Sequence, residues 1–255
     1  MHSVRVYYLE CRRCRVTMKL SIVVPSYNGA PVLEKLCREI TCRVKTGFEI
    51  LIVDDGSAIR PLPVILKLRN EGIDIKGVFL KTNYGQQLAT LAGLFCASGD
   101  CIITADDDLS HNPEYFDALL RKAVQEDFDV VFAVPTHMNR GMVRRAGSLI
   151  RDGIFTLFFR KPRGVSVSSF RLIKRTLADA VIKNVTEYRY LSVEILRRTT
   201  RIGNMTVSYT SRESDTRYNL PDLFKLGISL IGSSPYIPAW IRPKSRAGEL
   251  EYTVI

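Results

Sequence analysis

The stretch FEILIVDDGS, at residues 48–57, joins a run of aliphatic residues to an acidic and polar end. An apolar run bounded by turn-forming residues is typical of a β-strand. In an open α/β sheet, ligands bind beyond the carboxyl ends of the strands. Asp54 and Asp55 are therefore the first candidates for a functional site.

The same pattern continues on both sides of this stretch, where apolar strands alternate with amphipathic helices. An Asn-Pro pair at residues 112–113 supplies cap and first-turn residues for one helix. The alternation predicts an open, mostly parallel α/β sheet flanked by helices. The predicted elements are strands 19–25, 48–54, 75–80, 101–105 and 129–134, and helices from about Pro31, after Pro61, over 85–97 and from Asn112.

Beyond Pro135 the regular alternation gives way to other elements. We expect an apolar, Arg-rich helix, a short strand near residues 165–170, helices up to about Thr199, a strand MTVSYT at 205–210 and a last helix from about Leu220. Met18 directly precedes the first strand and is a candidate start. The expected organisation is a basic N-terminal tail at 1–17, a catalytic domain at 18–218, and a C-terminal amphipathic helix and tail at 219–255.

The charge of the chain predicts an acidic partner. The chain has 255 residues, a hydrophobic fraction of 46%, enough for one large domain, and a net charge of +11. Asp152 is the one acidic residue in the Arg-rich run from Arg140 to Arg175, so this run is expected to form an anion-facing surface. The strands lack the basic and aromatic interleaving of nucleic-acid-binding sheets, so we expect no nucleic-acid partner.

The sequence favours a peripheral rather than a spanning contact with a membrane. No apolar run reaches the ~18 residues that a spanning helix needs. The segment from Leu223 to Ile241 is interrupted by a lysine and two prolines, and we expect it to lie on a membrane surface. The six cysteines are scattered, without a secretory signal, which indicates reduced thiols. The expected location is cytoplasmic, at the inner face of the cell membrane.

Polar residues follow three predicted strands, and the carboxyl ends of those strands should meet at one edge. Five carboxylates there would repel one another unless a cation or hydrogen-bond donors offset their charge. Mg²⁺ or Mn²⁺ fits, because these ions take one or two carboxylates and complete their shell with water and phosphate oxygens. The residues concerned are Pro25, Tyr27 and Asn28 on the first strand, Asp54 and Asp55 on the second, and Asp106, Asp107 and Asp108 on the fourth.

The acidic residues at the strand ends have other interpretations. The Asp-Asp-Asp run can also serve as a turn or cap before the helix at Pro113. The chain has no G-x-G-x-x-G after its first strand, no P-loop motif and no Ser or Cys nucleophile elbow. These absences argue against dinucleotide, P-loop and hydrolase chemistry.

Four ordered motifs resemble family 2 of the glycosyltransferases: SIVVPSYNG at 21–29, ILIVDDGS at 50–57, NYGQQLATLAGL at 83–94 and ADDDLSHNPE at 105–114. The resemblance is strongest to the branch of dolichol-phosphate mannose synthase and bacterial polyprenyl-phosphate glycosyltransferases. It continues more faintly beyond residue 140. It implies a GT-A (Rossmann-like) fold with a C-terminal helical acceptor-side extension, a nucleotide-diphosphate sugar donor and inversion at the anomeric carbon.

The resemblance also implies roles for residues of this chain. It places a metal at Asp106, Asp108 and Ser110, and catalysis at Asp106, Asp108, Arg145 and Arg212. It places the nucleotide sugar at Pro25, Tyr27, Asn28, Asp54, Asp55, Asn83, Gly85, Asp106 and Asp107. The chain departs from the branch in having Ser110 where a Gln is frequent, and Pro135 where an Arg is usual.

The acceptor stays open at this level. A polyprenyl phosphate is already anionic and needs little help from a base, so Arg144, Arg145 and Arg212 would position it. A sugar hydroxyl would need a carboxylate base, for which Glu213 and Asp215 are candidates. A non-catalytic anion- or membrane-binding module is the alternative of another class. The sequence is compatible with a homo-oligomer.

Overall fold

The computed structural model describes residues 18–136, 162, 164–183, 190–208 and 251–255. Eight strands form one sheet: β1 Leu20–Ser26, β2 Phe48–Asp54, β3 Ile75–Leu80, β4 Cys101–Thr104, β5 Val130–Pro135, β6 Arg171–Lys174, β7 Ile202–Val207 and β8 Tyr252–Val254. The helices are α1 Ala30–Arg43, α2 Leu62–Asn70, α3 Gln86–Cys96, a 3₁₀ turn at Pro113–Tyr115, α4 Phe116–Gln125, α5 Arg175–Ile182 and α6 Leu191–Arg198. Across these ranges, no helix has the length and hydropathy to cross a bilayer.

The strand order is β7-β5-β6-β4-β1-β2-β3-β8. β4, β1, β2 and β3 run parallel, whereas β6 and β8 are antiparallel to their neighbours. The chain leaves β1 towards β2 and β3 and then returns to the other side of β1 for β4. The direction of winding therefore reverses between β1 and β4, and ligands bind at such a switch point in open α/β sheets.

The core lies on both faces of this sheet. Alternate residues of β1 point to opposite faces, so that Val23 packs in one apolar cluster and Ile22 and Val24 in the other. Helices α3, α5 and α6 cover the first face, and α1, α2 and α4 cover the second. The predicted open, mostly parallel sheet flanked by helices is confirmed.

One predicted strand was wrong in position. Residues 165–170 form no strand, and β6 begins at Arg171 instead. β6 pairs with β4 on one side and with β5 on the other, so hydrogen bonding to two distant strands selects the segment. The strand expected at 205–210 is present as β7 but begins earlier, at Ile202. The helices expected at about 136–160 and from Leu220 lie outside the described residues.

The last residues of the chain add a strand that the sequence analysis did not assign. β8 pairs with Val78–Leu80 of β3, and Ile255 and Gly77 exchange both backbone hydrogen bonds, at 2.8 and 2.9 Å. The Lys81 ammonium lies 2.8 Å from the Glu251 carboxylate. Residues 251–255 therefore belong to the sheet, while the expected boundary at 218 stays a prediction.

The buried carboxylate of Glu49 links the amino ends of β1, β2 and β3 by hydrogen bonds. The side chain of Glu49, in β2, has no exposed surface. It accepts hydrogen bonds from Ser21 Oγ of β1 (2.6 Å), from Lys76 Nζ of β3 (2.7 Å) and from the backbone N–H and hydroxyl of Ser98 (2.6 and 2.7 Å). Glu49 thus joins three strands and the turn before β4, at the edge opposite the polar strand ends.

Candidate functional site

The loop after β1 is tied to the loop after β2 through Asn28. The Asn28 N–H donates to Ser57 Oγ (2.8 Å), and the Asn28 side-chain oxygen accepts from the Ala58 N–H (3.2 Å). Asn28 has φ of 57°, a left-handed conformation that asparagine tolerates better than most residues. Pro25 is buried within β1, whereas the neighbouring Tyr27 is 54% exposed at the sheet edge.

Asp54 ends β2 as a fully buried carboxylate. Its Oδ1 accepts a hydrogen bond from the Ser57 N–H at 3.3 Å. Its Oδ2 has no hydrogen-bond partner among the residues that the structure describes. A buried acceptor without a donor is costly. Asp54 therefore presents, at the switch-point edge, one acceptor oxygen that no described residue pairs with.

Asp55 fixes the loop that leads into α3. Its two carboxylate oxygens accept from the backbone N–H groups of Tyr84 (2.7 Å) and Gly85 (2.8 Å). Gly85 has φ of 91°, which favours glycine, and it is the residue before the first turn of α3. Burial raises the pKa of Asp55, as does the charge of Asp54, against the two hydrogen bonds. Asn83 lies exposed in the same loop.

Asp106 is held from several directions just beyond β4. Its Oδ1 accepts from Gln86 Nε2 (2.5 Å) and its Oδ2 from Ser169 Oγ (3.2 Å). The Asp106 N–H donates to Nδ1 of His111 (2.9 Å), whose ring stacks on Phe170 at 4.6 Å between centroids. Burial lowers the pKa of His111 although Asp106 and Asp108 oppose this, so the imidazole is neutral near neutral pH.

Asp107 links the loop after β4 to the loop after β1. Its Oδ2 accepts from Ser26 Oγ at 2.6 Å. A Cβ at Gly29 would lie 2.1 Å from the same oxygen, so any larger residue there would displace the Asp107 carboxylate. Burial raises the pKa of Asp107, and the charges of Asp108 and Asp106 raise it further. Asp107 therefore joins the two loops at the switch point. Its contact with a nucleotide sugar stays a prediction.

Asp108 is half-buried at the tip of the same loop. Its Oδ1 accepts from the Ser110 N–H at 2.9 Å. The intervening Leu109 has φ of 63°, a left-handed conformation that is uncommon for a leucine. The turn brings Ser110 back beside Asp108, so these two predicted metal ligands are neighbours in space.

The electrostatics of this edge differ from those of the rest of the protein. Glu49, Asp127, Asp129 and Glu194 each lie within 4.0 Å of a Lys or Arg. Within the described ranges, no Lys or Arg forms an ion pair with any of the five carboxylates of the edge, which belong to Asp54, Asp55, Asp106, Asp107 and Asp108. The described Lys and Arg residues therefore do not neutralise these carboxylates, and a bound metal cation could do so.

The donor set fits a hard divalent ion that shares its ligands with a substrate. In the part of the chain that the structure describes, no three His, Cys, Asp or Glu side chains form a complete metal site. Mg²⁺ characteristically takes one or two carboxylates and fills its remaining positions with water and substrate phosphates. Asp106 and Asp108 suit this incomplete kind of site better than a closed structural one.

The structure brings together the predicted site residues of the loops after β1, β2, β3 and β4. Arg145 and Arg212, predicted for the acceptor, lie outside the described residues. Gln86, Ser169 and His111, which surround Asp106, were not among the predicted site residues. Gln86 and His111 lie inside motifs quoted above, which was a usable signal. Ser169 lies in the segment SSFRLIKR at 168–175, where the resemblance is fainter, and it reaches Asp106 from 63 residues away.

The fold and the carboxylate edge define an open α/β domain with an acidic switch point, and comparison with known proteins assigns the family. The model of Glycosyl transferase family 2 matches residues 21–199. The chain belongs to this family, and the predicted resemblance is confirmed.

Relatives with assigned names come from the polyprenyl-phosphate branch. An undecaprenyl-phosphate 4-deoxy-4-formamido-L-arabinose transferase of Yersinia enterocolitica is 34% identical over 221 residues, which cover 84% of this chain and 66% of the relative. The same-named enzyme of Salmonella paratyphi A is 30% identical over 218 residues, with the same two coverages. The match thus spans 66% of the length of these relatives.

Solved structures share the fold at low sequence identity. Glucosyl-3-phosphoglycerate synthase of Mycobacterium tuberculosis, in complex with Mn²⁺, UDP and glucosyl-3-phosphoglycerate, superposes with a TM-score of 0.61 at 17% identity, covering 85% of this chain and 78% of that one. Staphylococcus aureus TarS 1-349, in complex with UDP-GlcNAc, gives 0.57 at 20% identity, covering 88% and 69%. The predicted GT-A fold is confirmed.

Proposed function

We propose that this protein is an inverting, metal-assisted glycosyltransferase that moves a sugar from a nucleotide-diphosphate sugar to a polyprenyl phosphate. The observation that carries the proposal is the set of carboxylates at the switch point of a GT-A sheet, which form no ion pair with a Lys or Arg of the described residues. The names of the two relatives, both undecaprenyl-phosphate sugar transferases, support the acceptor. The Mn²⁺ and UDP complex of the fold neighbour supports the donor and the ion.

The donor would bind across the ends of β1, β2 and β4. The exposed ring of Tyr27 offers an apolar face for a nucleobase, above the buried Pro25. Asp54 contributes an acceptor oxygen without a partner in the described chain. Asp55 holds Gly85 and the loop of Asn83 in place, so that their polar groups face the donor.

Asp106 and Asp108 would hold Mg²⁺ or Mn²⁺, with Ser110 beside them. When bound, the ion offsets the negative charge that grows on the departing diphosphate. Asp108 keeps its Oδ2 without a hydrogen bond from the described residues, while Ser110 fixes its Oδ1. Asp106 stays oriented through Gln86 and Ser169. The chain would thus supply the ion with the oriented carboxylate oxygens of Asp106 and Asp108, and water and the diphosphate would supply the other ligands.

The acceptor oxygen would attack the anomeric carbon on the side opposite the departing diphosphate, which gives inversion. A phosphate monoester is ionised near neutral pH, so that no strong general base is needed. Arg145 and Arg212, assigned from the sequence, would hold this anion by charge-assisted hydrogen bonds. A sugar hydroxyl would instead need Glu213 or Asp215 as its base.

A transfer assay separates these functions. Candidate nucleotide sugars are incubated with Mn²⁺ and, in parallel, with polyprenyl phosphate, free saccharides and 3-phosphoglycerate. We expect glycosylated lipid phosphate as the product. A product on a saccharide or on 3-phosphoglycerate would contradict the lipid acceptor while retaining the enzyme class. Neither transfer nor hydrolysis of any donor would favour a non-catalytic binding module.

Binding of the nucleotide gives an independent test. We expect a nucleoside diphosphate to raise the melting temperature in Mn²⁺ and not in chelator, because the ligand binds only the folded state. Asp55→Ala should remove this shift, since it releases the loop at Tyr84 and Gly85. A series over different bases identifies the nucleotide. An absence of any shift in the wild type would count against a donor site at this edge.

A further inference from the structure

The carboxylate of Asp106 is oriented through both of its oxygens by groups from other parts of the chain. Gln86, the first residue of α3, donates to Oδ1 at 2.5 Å. Ser169, in the segment before β6, donates to Oδ2 at 3.2 Å. The Asp106 side chain is 28% exposed, so it is neither sealed in the core nor free in solvent. Its position is therefore set by contacts rather than by burial.

The two described side-chain donors to Asp106 carry no charge. Gln86 offers an amide and Ser169 a hydroxyl, and the nearby imidazole Nε2 of His111 lies 3.6 Å from Oδ2. Glu49, at the opposite edge, is instead held at 2.7 Å by the Lys76 ammonium. A neutral donor fixes the direction of a carboxylate and leaves its negative charge in place. The Asp106 carboxylate is thus held in one orientation, and its described donors leave its negative charge in place. A cation ligand needs both properties.

Gln86 is also joined to the other half of the edge. It follows Tyr84 and Gly85, whose N–H groups are both held by the Asp55 carboxylate. Asp55 follows β2 and Asp106 follows β4, and β1 lies between these two strands. Strands that are two positions apart are separated by about 10 Å. The three consecutive residues 84–86 therefore connect carboxylates on the two sides of β1.

We propose that Gln86 is a positioning residue, which orients Asp106 towards the divalent cation and couples that orientation to the loop held by Asp55. This inference rests on the proposed function and extends it, because Gln86 acts on the cation through Asp106. Ser169 plays the weaker part, with the longer of the two contacts.

The test measures Mn²⁺ affinity directly, by the electron paramagnetic resonance signal of free Mn²⁺ without any donor. Gln86→Leu removes the amide at similar size, and we expect it to weaken Mn²⁺ binding about tenfold. Gln86→Lys keeps a donor but brings a positive charge to Asp106, and should weaken binding at least as much. Ser169→Ala should have a smaller effect. The melting temperature should change little, because residue 86 is exposed.

Gln87→Leu is the matched control. Gln87 lies next to Gln86 on α3, but its side chain accepts a hydrogen bond from the Leu191 N–H of α6 (3.3 Å) and not from a group near Asp106 in the described hydrogen bonds. This variant should keep wild-type Mn²⁺ affinity. In the transfer assay, Gln86→Leu should lower kcat and leave the KM for the acceptor unchanged. An Asp55→Asn variant should also weaken Mn²⁺, and its effect should not add to that of Gln86→Leu.

Three results would overturn the inference. Equal Mn²⁺ affinity of the wild type and Gln86→Leu, alongside lost binding in Asp106→Asn, would remove the role of Gln86 and leave the proposed function standing. A wild-type protein that neither binds Mn²⁺ nor transfers sugar would overturn both. Equal loss in Gln86→Leu and Gln87→Leu would show a general disturbance of α3 and also refute the specific role.

Discussion

Asp108 lies at the tip of the loop after β4, where one of its oxygens is held by the Ser110 N–H and the other receives no described hydrogen bond. We expect Asp108→Asn to reduce transfer at least ~100-fold, because a neutral amide cannot hold a divalent ion against its hydration shell. The melting temperature should barely move, since the amide oxygen can still accept from Ser110. Asp179→Asn, on the exposed surface of α5, is the control. Wild-type turnover in the variant or in excess chelator would contradict a metal-assisted reaction.

Gly29 permits the contact between the loops after β1 and β4. A Cβ there would lie 2.1 Å from Asp107 Oδ2 and 2.4 Å from Ser26 Oγ, so Gly29→Ala displaces these two side chains and breaks the hydrogen bond that joins the loops. We expect a loss of about 1–3 kcal/mol in the free energy of unfolding, together with weaker nucleotide binding. At Gly47 an added Cβ meets nothing within 4 Å. Urea unfolding of Gly29→Ala and Gly47→Ala compares them, and equal stabilities would refute the steric explanation.

Single residues also show how far the sequence predicts the site. Asp54, Asp55, Asp106 and Asp108 were predictable, because each lies at or shortly after the end of a strand that the local pattern reveals. The partners of Asp106 were harder to predict: His111 lies in the same loop, but Gln86 and Ser169 come from elements whose relative placement depends on the whole fold. Ser169 reaches the carboxylate only because β6 pairs beside β4.

Among the elements, β2 is fastened at its amino end by Glu49. Burial opposes ionisation of this carboxyl, but hydrogen bonds from Lys76, Ser21 and Ser98 outweigh it and lower the pKa from 4.5 to about 2. A carboxyl with a lowered pKa in the folded state stabilises the fold above its unfolded pKa. The contribution of Glu49 is therefore complete above pH 4.5 and is lost as the pH falls towards 2.

We expect Glu49→Gln to lower the free energy of unfolding at pH 7 by about 3 kcal/mol, because an amide leaves the hydrogen-bond donors of the network poorly matched. The difference from the wild type should shrink as the pH falls below 4.5. Urea unfolding at several pH values measures it. Glu34→Gln is the control, since its ion pairs with Arg38 and Lys67 lie at the surface. A difference between wild type and variant that is constant down to pH 2.5 would contradict the assignment.

The elements differ in how well the sequence predicts them. β1 to β5 follow from their own apolar runs, which begin and end close to the predicted positions. β6 was misplaced, because the alternation in residues 165–170 resembles a strand while the pairing with β4 and β5 falls on Arg171–Lys174. β8 carries strand-forming residues, Tyr-Thr-Val, but is too short to be recognised without its partner β3.

For the whole molecule, the basic run from Arg140 to Arg175 suggests contact with an anionic surface. This was wrong for Arg171, which is buried in β6 and donates to Ser192, and for the rest of the run the prediction rests on sequence. Each Lys or Arg near such a surface contributes about 1 kcal/mol, so several together can hold the protein peripherally. We expect salt-sensitive sedimentation with anionic liposomes, lost on combining Arg144→Glu with Arg145→Glu. Lys35→Glu with Lys183→Glu reverses as much charge outside the run and should retain binding. A protein that stays in the supernatant at low salt would contradict a membrane-bound acceptor.

The pairing of β8 with β3 has a consequence during synthesis. Lys81 and Glu251, which join the two strands, are 170 residues apart. At about 5–20 residues per second, a ribosome needs about 10–30 s to produce the intervening chain. The outer edge of β3 stays without β8 throughout this time, and an open strand edge can pair with a neighbouring nascent chain. Aggregation during overexpression should therefore begin at β3, and slower translation should increase it by prolonging the exposure of that edge.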